Sequence, residues 1–176
     1  MNNKKASLVL AGSILLLASW VVGGTSCVRK PLPNEYFSFQ KVEHSCWQAG
    51  KQYKFEILVP DYNKRYSASL ILRHSNHYKY KQIRLRAYLL DTRDQLIWGD
   101  TISIPLAFKE LRWAGRGISQ IETSVPFFRA KRLSHSGIYH ISLTPDLHQA
   151  QLDGVEAVGL RFWQSSPDEY PSANED

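Results

Sequence analysis

Residues 52–59 read QYKFEILV. Tyr53, Phe55, Ile57 and Val59 fall on one parity, with Lys54 and Glu56 between them. Successive side chains of a strand point to opposite faces, so this spacing puts one face in a core and the other in water. Residues 83–90, IRLRAYLL, repeat the pattern: Ile83, Leu85, Ala87 and Leu89 face one way, and Arg84, Arg86 and Tyr88 the other. The same alternation aligns Thr123, Val125 and Phe127, then Tyr139, Ile141 and Leu143, then Val158, Leu160 and Phe162. Weaker strands are predicted at 36–42, 68–74 and 96–104. About eight short strands with turn residues between them predict an all-β, single-domain sandwich of jelly-roll type. Evidence for helix is thin. PLAFKELRW (105–113) has room for a turn or two, and PDLHQAQL (145–152) has a proline suited to a first helical position. Neither carries a sustained 3.6-residue stripe.

Outward from this domain, the N-terminal segment has a different character. Lys4 and Lys5 precede an apolar run from Ala6 to Val22, which is followed by GGTS and Cys27. Positive charge, apolar stretch and small residues, in that order, are the layout of a secretory signal. A permanent membrane span is the competing reading. At 17 residues the run sits at the lower edge of spanning length, and Ser7, Gly12, Ser13 and Ser19 weaken it further. The segment resembles a bacterial lipoprotein precursor. That likeness implies that the Cys27 thiol takes a diacylglycerol and that cleavage before it makes Cys27 the first mature residue. Residues 1–26 are then the signal peptide, and residues 27–34 the lipidated cysteine and a proline-containing tether. Residues 35–164 form the domain. Residues 165–176, SSPDEYPSANED, read as a disordered acidic tail.

Loss of residues 1–26 lowers the formal charge from +6 to +4, because Lys4 and Lys5 leave. A small positive charge suits an anionic membrane surface and is too weak to imply nucleic acid. There are two cysteines. With Cys27 acylated, Cys46 has no partner within the chain, so no disulfide framework is expected and Cys46 reads as a small buried apolar residue.

Catalytic patterns are missing from the sequence. It contains no G-x-S-x-G elbow, H-E-x-x-H, C-x-x-C or phosphate-binding glycine loop. GRG at 115–117 reads as a turn that needs glycine geometry. His74 and His77 stand three apart, but in a strand end and loop without a nearby carboxylate or thiol, and no metal or other cofactor is expected. Asp91 and Asp94 frame DTRD, which reads as a turn. An enzyme built from distant strands is the least supported reading. Two stretches have the composition of an interaction surface. HYKYKQIRLR mixes Lys79, Lys81, Arg84 and Arg86 with Tyr78 and Tyr80; the competing reading is a solvated outer face. In LRWAGRG, Arg112 and Arg116 surround Trp113, and Trp and Arg are the residue types that anchor interfaces. The competing reading there is a tryptophan that caps the core under a loop.

Five pieces in order carry a family resemblance: YKYKQIRL (78–85), DTISIPLA (100–107), RWAGRG (112–117), GIYHISL (137–143) and LDGVEAVGLRF (152–162). With the lipoprotein start they span most of the chain, and together they resemble the gliding motility lipoprotein GldH family of the Bacteroidota. The resemblance implies a non-catalytic, membrane-anchored envelope lipoprotein that serves as an accessory or scaffold subunit of the gliding machinery. It implies other envelope proteins as partners and a less direct association with type IX secretion. Surface-displayed lipoproteins of that phylum tend to carry acidic residues after the acylated cysteine, whereas CVRK here is basic. An outer-membrane position facing the periplasm is therefore expected. An envelope-anchored carbohydrate-binding module is the alternative, since five tryptophans and nine tyrosines provide material for exposed aromatic platforms.

Overall fold

Ten strands alternate through the computed structural model, which describes residues 35–108, 112–146 and 151–169. They are β1 (Glu35–Lys41), β2 (Cys46–Gln48), β3 (Tyr53–Val59), β4 (Arg65–Ser75), β5 (Gln82–Leu90), β6 (Leu96–Pro105), β7 (Gln120–Arg132), β8 (Gly137–Pro145), β9 (Gln151–Asp153) and β10 (Val155–Gln164). Their pairing follows a single rule. β1 pairs with β10, β2 with β9, β3 with β8, β4 with β7 and β5 with β6, all antiparallel. The chain is thus one long hairpin with its tip between β5 and β6. Rolling that hairpin closes two further pairs, β10 with β4 and β5 with β8. The result is two four-stranded sheets, ordered β1-β10-β4-β7 and β3-β8-β5-β6, with the short pair β2-β9 beside them. This is a jelly-roll sandwich, as the alternation predicts.

The core lies between the sheets and is built from the predicted parities. Tyr53, Phe55, Ile57 and Val59 are buried, as are Ile83, Leu85, Ala87 and Leu89, and Tyr139, Ile141 and Leu143. Tyr66 stacks on Phe162, with ring centroids 5.2 Å apart. All eight predicted strands are present. β2 and β9, three residues each, are too short for alternation to register. The DTRD turn forms the hairpin tip, where the Asp91 carboxylate accepts from the N–H groups of Arg93 and Gln95, both at 2.8 Å.

β7 breaks its register against β4 between Tyr66 and Ser69. Phe127 and Phe128 are consecutive yet both buried, and Ala130 takes a left-handed φ of 43°. An extra residue in one strand of an antiparallel pair has this effect.

Several expectations need correction. Neither short helix forms within the described residues. Pro105 ends β6, and the N–H groups of Leu106 and Ala107 donate to the Lys81 carbonyl at 2.8 and 3.1 Å. Pro145 ends β8 opposite Leu85, and Gln151 to Asp153 pair with β2. At the described ends of both segments the backbone bonds go across to neighbouring chain: Leu106 and Ala107 to Lys81 just before β5, Asp146 N–H to the Arg84 carbonyl of β5 at 2.9 Å, and Gln151 to Asp153 to β2. Residues 109–111 and 147–150 lie outside the described set. The segment from 165 does not leave the domain at once. Ser165 is buried, its Oγ lies 2.7 Å from Ser67 Oγ, and a short 3-10 turn follows at Pro167–Glu169. Only residues 170–176 of the expected tail lie outside the description. Cys46 is half-buried rather than enclosed. Partial desolvation, with the Asp153 carboxylate beside it, raises its thiol above the ordinary value. That disfavours the reactive thiolate. Cys27 and the tether to residue 34 also lie outside the described residues.

Candidate interaction surface

The connection between β6 and β7, residues 106–119, carries three of the five residues predicted as a surface. It doubles back on itself: Ala114 N–H donates to the Leu106 carbonyl at 2.7 Å and Phe108 N–H to the Arg112 carbonyl at 2.8 Å. It then runs along the free edge of β7, where Arg116 and Glu122 exchange two backbone bonds of 2.9 and 2.8 Å. At its tip, Asn76 holds the chain twice, donating its N–H to the Ser119 carbonyl and its side-chain amide to the Ile118 carbonyl. Pairing with Glu122 in this way shields the start of an otherwise unpaired sheet edge.

The two glycines of GRG are required for different reasons. Gly117 sits at φ 137°, and a Cβ there would come within 1.8 Å of the Gln120 carbonyl oxygen. Gly115 has ordinary φ, but its Cβ would meet the Glu122 carbonyl oxygen at 2.3 Å. The first needs glycine for conformation and the second for close backbone approach.

Trp113 is the inward face of this loop. Its ring packs on His74 at 4.8 Å, edge to face, and joins the partly buried shell around the core. His74 is fully buried, with its other side on Tyr78 at 5.4 Å. Its Nδ1 lies 2.8 Å from the Ser75 carbonyl, while Nε2 has no hydrogen-bond partner among the described residues. Desolvation holds the imidazole below its ordinary pKa, against smaller opposing effects of the Ser75 carbonyl and Glu156. Tyr78 requires correction as a surface residue. It is 5 % exposed, and burial pushes its phenol far above the ordinary value, with Tyr80 adding to the shift. Tyr80, at 40 %, is exposed.

The outward face of the loop holds what the sequence reading missed. Ile118 is 92 % exposed at the tip, and Phe108 is exposed at the base. Arg112 lies over the Phe108 ring at 5.6 Å, and both Arg112 and Arg116 are exposed. Among the described residues neither guanidinium meets a carboxylate. An exposed isoleucine on the same connection as two arginines that meet no carboxylate among the described residues suits a partner that offers both an apolar contact and acidic groups. Arg84 and Arg86 differ. They stand on the outer face of β5 and share Asp146 at 3.1 and 3.8 Å. For these two residues the structure agrees with the competing reading of a solvated outer face, and adds the ion pairs with Asp146.

Among the described residues, no three His, Cys, Asp or Glu side chains gather as a metal site. A charged cluster near the hairpin tip joins Asp94 to Lys54 and to His140, both at 2.7 Å. The Lys54 hydrogen bond is the main cause of the lowered Asp94 pKa. The cluster includes no nucleophile.

Fold and loop together define a class: an all-β jelly-roll domain whose β6–β7 connection exposes Arg112, Arg116 and Ile118. The family model described as GldH lipoprotein matches residues 34–162. The chain belongs to the GldH lipoprotein family. It is 22 % identical over 163 residues to the gliding motility lipoprotein GldH homolog of Christiangramia forsetii, covering 88 % of this chain and 97 % of that one. It is 24 % identical over 171 residues to the gliding motility lipoprotein GldH of Flavobacterium johnsoniae, covering 93 % and 99 %. Among solved structures, the VP2 subviral particle of infectious bursal disease virus matches with a TM-score of 0.37 at 7 % identity, over 74 % of this chain and 33 % of that one. Latent PorU of Porphyromonas gingivalis matches at 0.30 and 11 %, over 81 % and 14 %. Likenesses this distant carry no argument about function.

Proposed function

We propose that this chain is a non-catalytic accessory subunit of the gliding machinery, held in the envelope by lipid on Cys27 and docked to a protein partner through residues 106–119. The family and the names of its relatives support the gliding role. The order of charge, apolar run, small residues and cysteine supports the anchor. The basic stretch after Cys27 supports an outer-membrane position facing the periplasm, and the family resemblance supports an association with type IX secretion.

The observation that carries the docking role is Ile118. Its large apolar side chain is 92 % exposed, and the backbone that presents it is held by Asn76 and by the Arg116–Glu122 bridge before any partner arrives. Pre-organisation lowers the entropic cost of association, and flanking arginines speed and orient encounter with an acidic surface. The test is co-purification from crosslinked membranes at low and high salt. The reading expects envelope proteins to be retained by the native chain at low salt and lost both at high salt and in an Arg112→Glu, Arg116→Glu double variant. Equal retention by the charge-reversed chain overturns it. Protease added to intact cells tests sidedness: the domain is expected to survive, and its removal contradicts the periplasmic placement.

A further inference from the structure

A second feature lies away from the loop, on the outer face of the sheet β1-β10-β4-β7. A cleft of about 470 Å³ opens there beside the β7 bulge. Its floor is Ser67 and Ser69 of β4, one wall is Trp163 of β10, and the other is Ser124 and Pro126 of β7. Arg129 and the turn residues Asp168 and Glu169 close its rim. The outer face of a sandwich ordinarily needs no such concavity. Here it exists because the chain beyond β10 folds back through Ser165 instead of leaving the domain, and because the bulge displaces β7.

The site is fixed on each side. Ser67 Oγ contacts Ser165 Oγ at 2.7 Å and accepts the Ala130 N–H at 3.0 Å, tying the floor to the bulge. The Trp163 indole N–H is shared by both Glu169 oxygens, at 3.2 and 3.0 Å. The Arg161 guanidinium covers the indole from one side at 4.5 Å, and Arg161 is itself paired with Glu35. These contacts orient the indole, and Trp163 lines the cleft. Within the described residues the hydroxyls of Ser69 and Ser124 and the guanidinium of Arg129 make no hydrogen bond.

The balance of charge narrows what could enter. Asp168 and Glu169 oppose a phosphate or sulfated chain, while Arg129 opposes a cationic peptide. Glu169 is already committed to the indole. What remains is an uncharged ligand with an apolar face and many hydroxyls. A pyranose ring has this chemistry: axial C–H groups lie against an aromatic plane, and equatorial hydroxyls hydrogen-bond to serine, arginine and carboxylate. From Trp163, the serine floor and the opposed rim charges, we infer that this cleft binds a neutral glycan.

The test uses the full-length chain in detergent micelles. Titration calorimetry with neutral probes (β-linked glucose and N-acetylglucosamine tetramers and a mannose trimer) is set beside a sulfated oligosaccharide and an oligolysine peptide. Saturable binding of at least one neutral probe is expected, weakened about thirtyfold by Trp163→Ala, as for a central aromatic anchor. Trp163→Phe is expected to keep part of the affinity. Arg129→Ala, at an exposed position that leaves the core intact, is expected to weaken binding without moving the melting temperature; these two variants keep the test valid if Trp163→Ala does not fold. The inference is overturned if no neutral probe binds below about 10 mM, if the sulfated probe or the peptide binds more tightly, or if the folded Trp163 and Arg129 variants bind as well as the native chain.

Discussion

Replacing Trp113 with alanine isolates the structural contribution of the 106–119 loop from the docking proposed for it. A buried tryptophan truncated to alanine costs about 3–5 kcal/mol. Trp113 is only half-buried, with one side on His74 and the core shell, so about half of that, roughly 2 kcal/mol, is expected. For a domain of this size each kcal/mol moves the melting temperature by about 3–5 °C, so the fall is about 6–10 °C. The assay is thermal unfolding of the chain from residue 28, followed by far-ultraviolet circular dichroism. Ile118→Ser is the matched control. It removes an apolar side chain 92 % exposed, so its melt should be unchanged within about 1 °C. A Trp113→Ala melt indistinguishable from the native one would refute the reasoning, because the ring would then contribute nothing to the end of the sandwich.

Three further outcomes follow from the same geometry. Gly117→Ala forces a left-handed backbone and a contact with the Gln120 carbonyl; it should cost at least about 1–3 kcal/mol in chemical denaturation and weaken partner retention, and unchanged values in both would contradict the close approach described at this turn. His74 is held neutral by burial, so its folded pKa lies below the unfolded value; the unfolded chain then binds more protons as pH falls through about 6.5, and stability is lost toward acid over that range. Asp91 and Asp94 have lowered pKa values and act only further into acid, so a pH 7 to 5 denaturation series with His74→Phe should lose most of the slope, and an unaltered slope would assign it elsewhere. Cys27→Ser should abolish incorporation of labelled palmitate and accumulate unprocessed chain; label retained by the variant would rule out this cysteine as the lipid site.

Much of the sandwich was legible because period-two alternation reports burial directly, and the strands 52–59, 83–90 and 138–143 bury the parities their sequences show. The register of the long hairpin was not legible, since pairing Glu35 with Trp163 depends on contacts between opposite ends of the domain. Tyr78 misled for a related reason. It sits among lysines in a polar-looking segment, yet it packs on His74 and lies close to Gly154, which follows β9. Nothing near Tyr78 in sequence marks that burial. At the loop, the sequence left Trp113 open between an interface anchor and a core cap; in the structure it is half-buried against His74, and Ile118, which the sequence did not single out, is exposed. That choice is made by the edge of β7 and by Asn76, neither of which lies within the motif. The cleft beside Trp163 needed the β7 bulge and the return through Ser165, and neither has a periodic signature.

The docking role proposed for residues 106–119 is tested most directly by placing a photoactivatable phenylalanine analogue at position 118 of the full-length chain and irradiating living cells. Leu58, 63 % exposed on β3, serves as the comparison position. The account predicts a discrete adduct with an envelope protein from position 118, lost when Arg112 and Arg116 are reversed to glutamate and absent from position 58. No adduct at 118, or the same adducts from both positions, would contradict it.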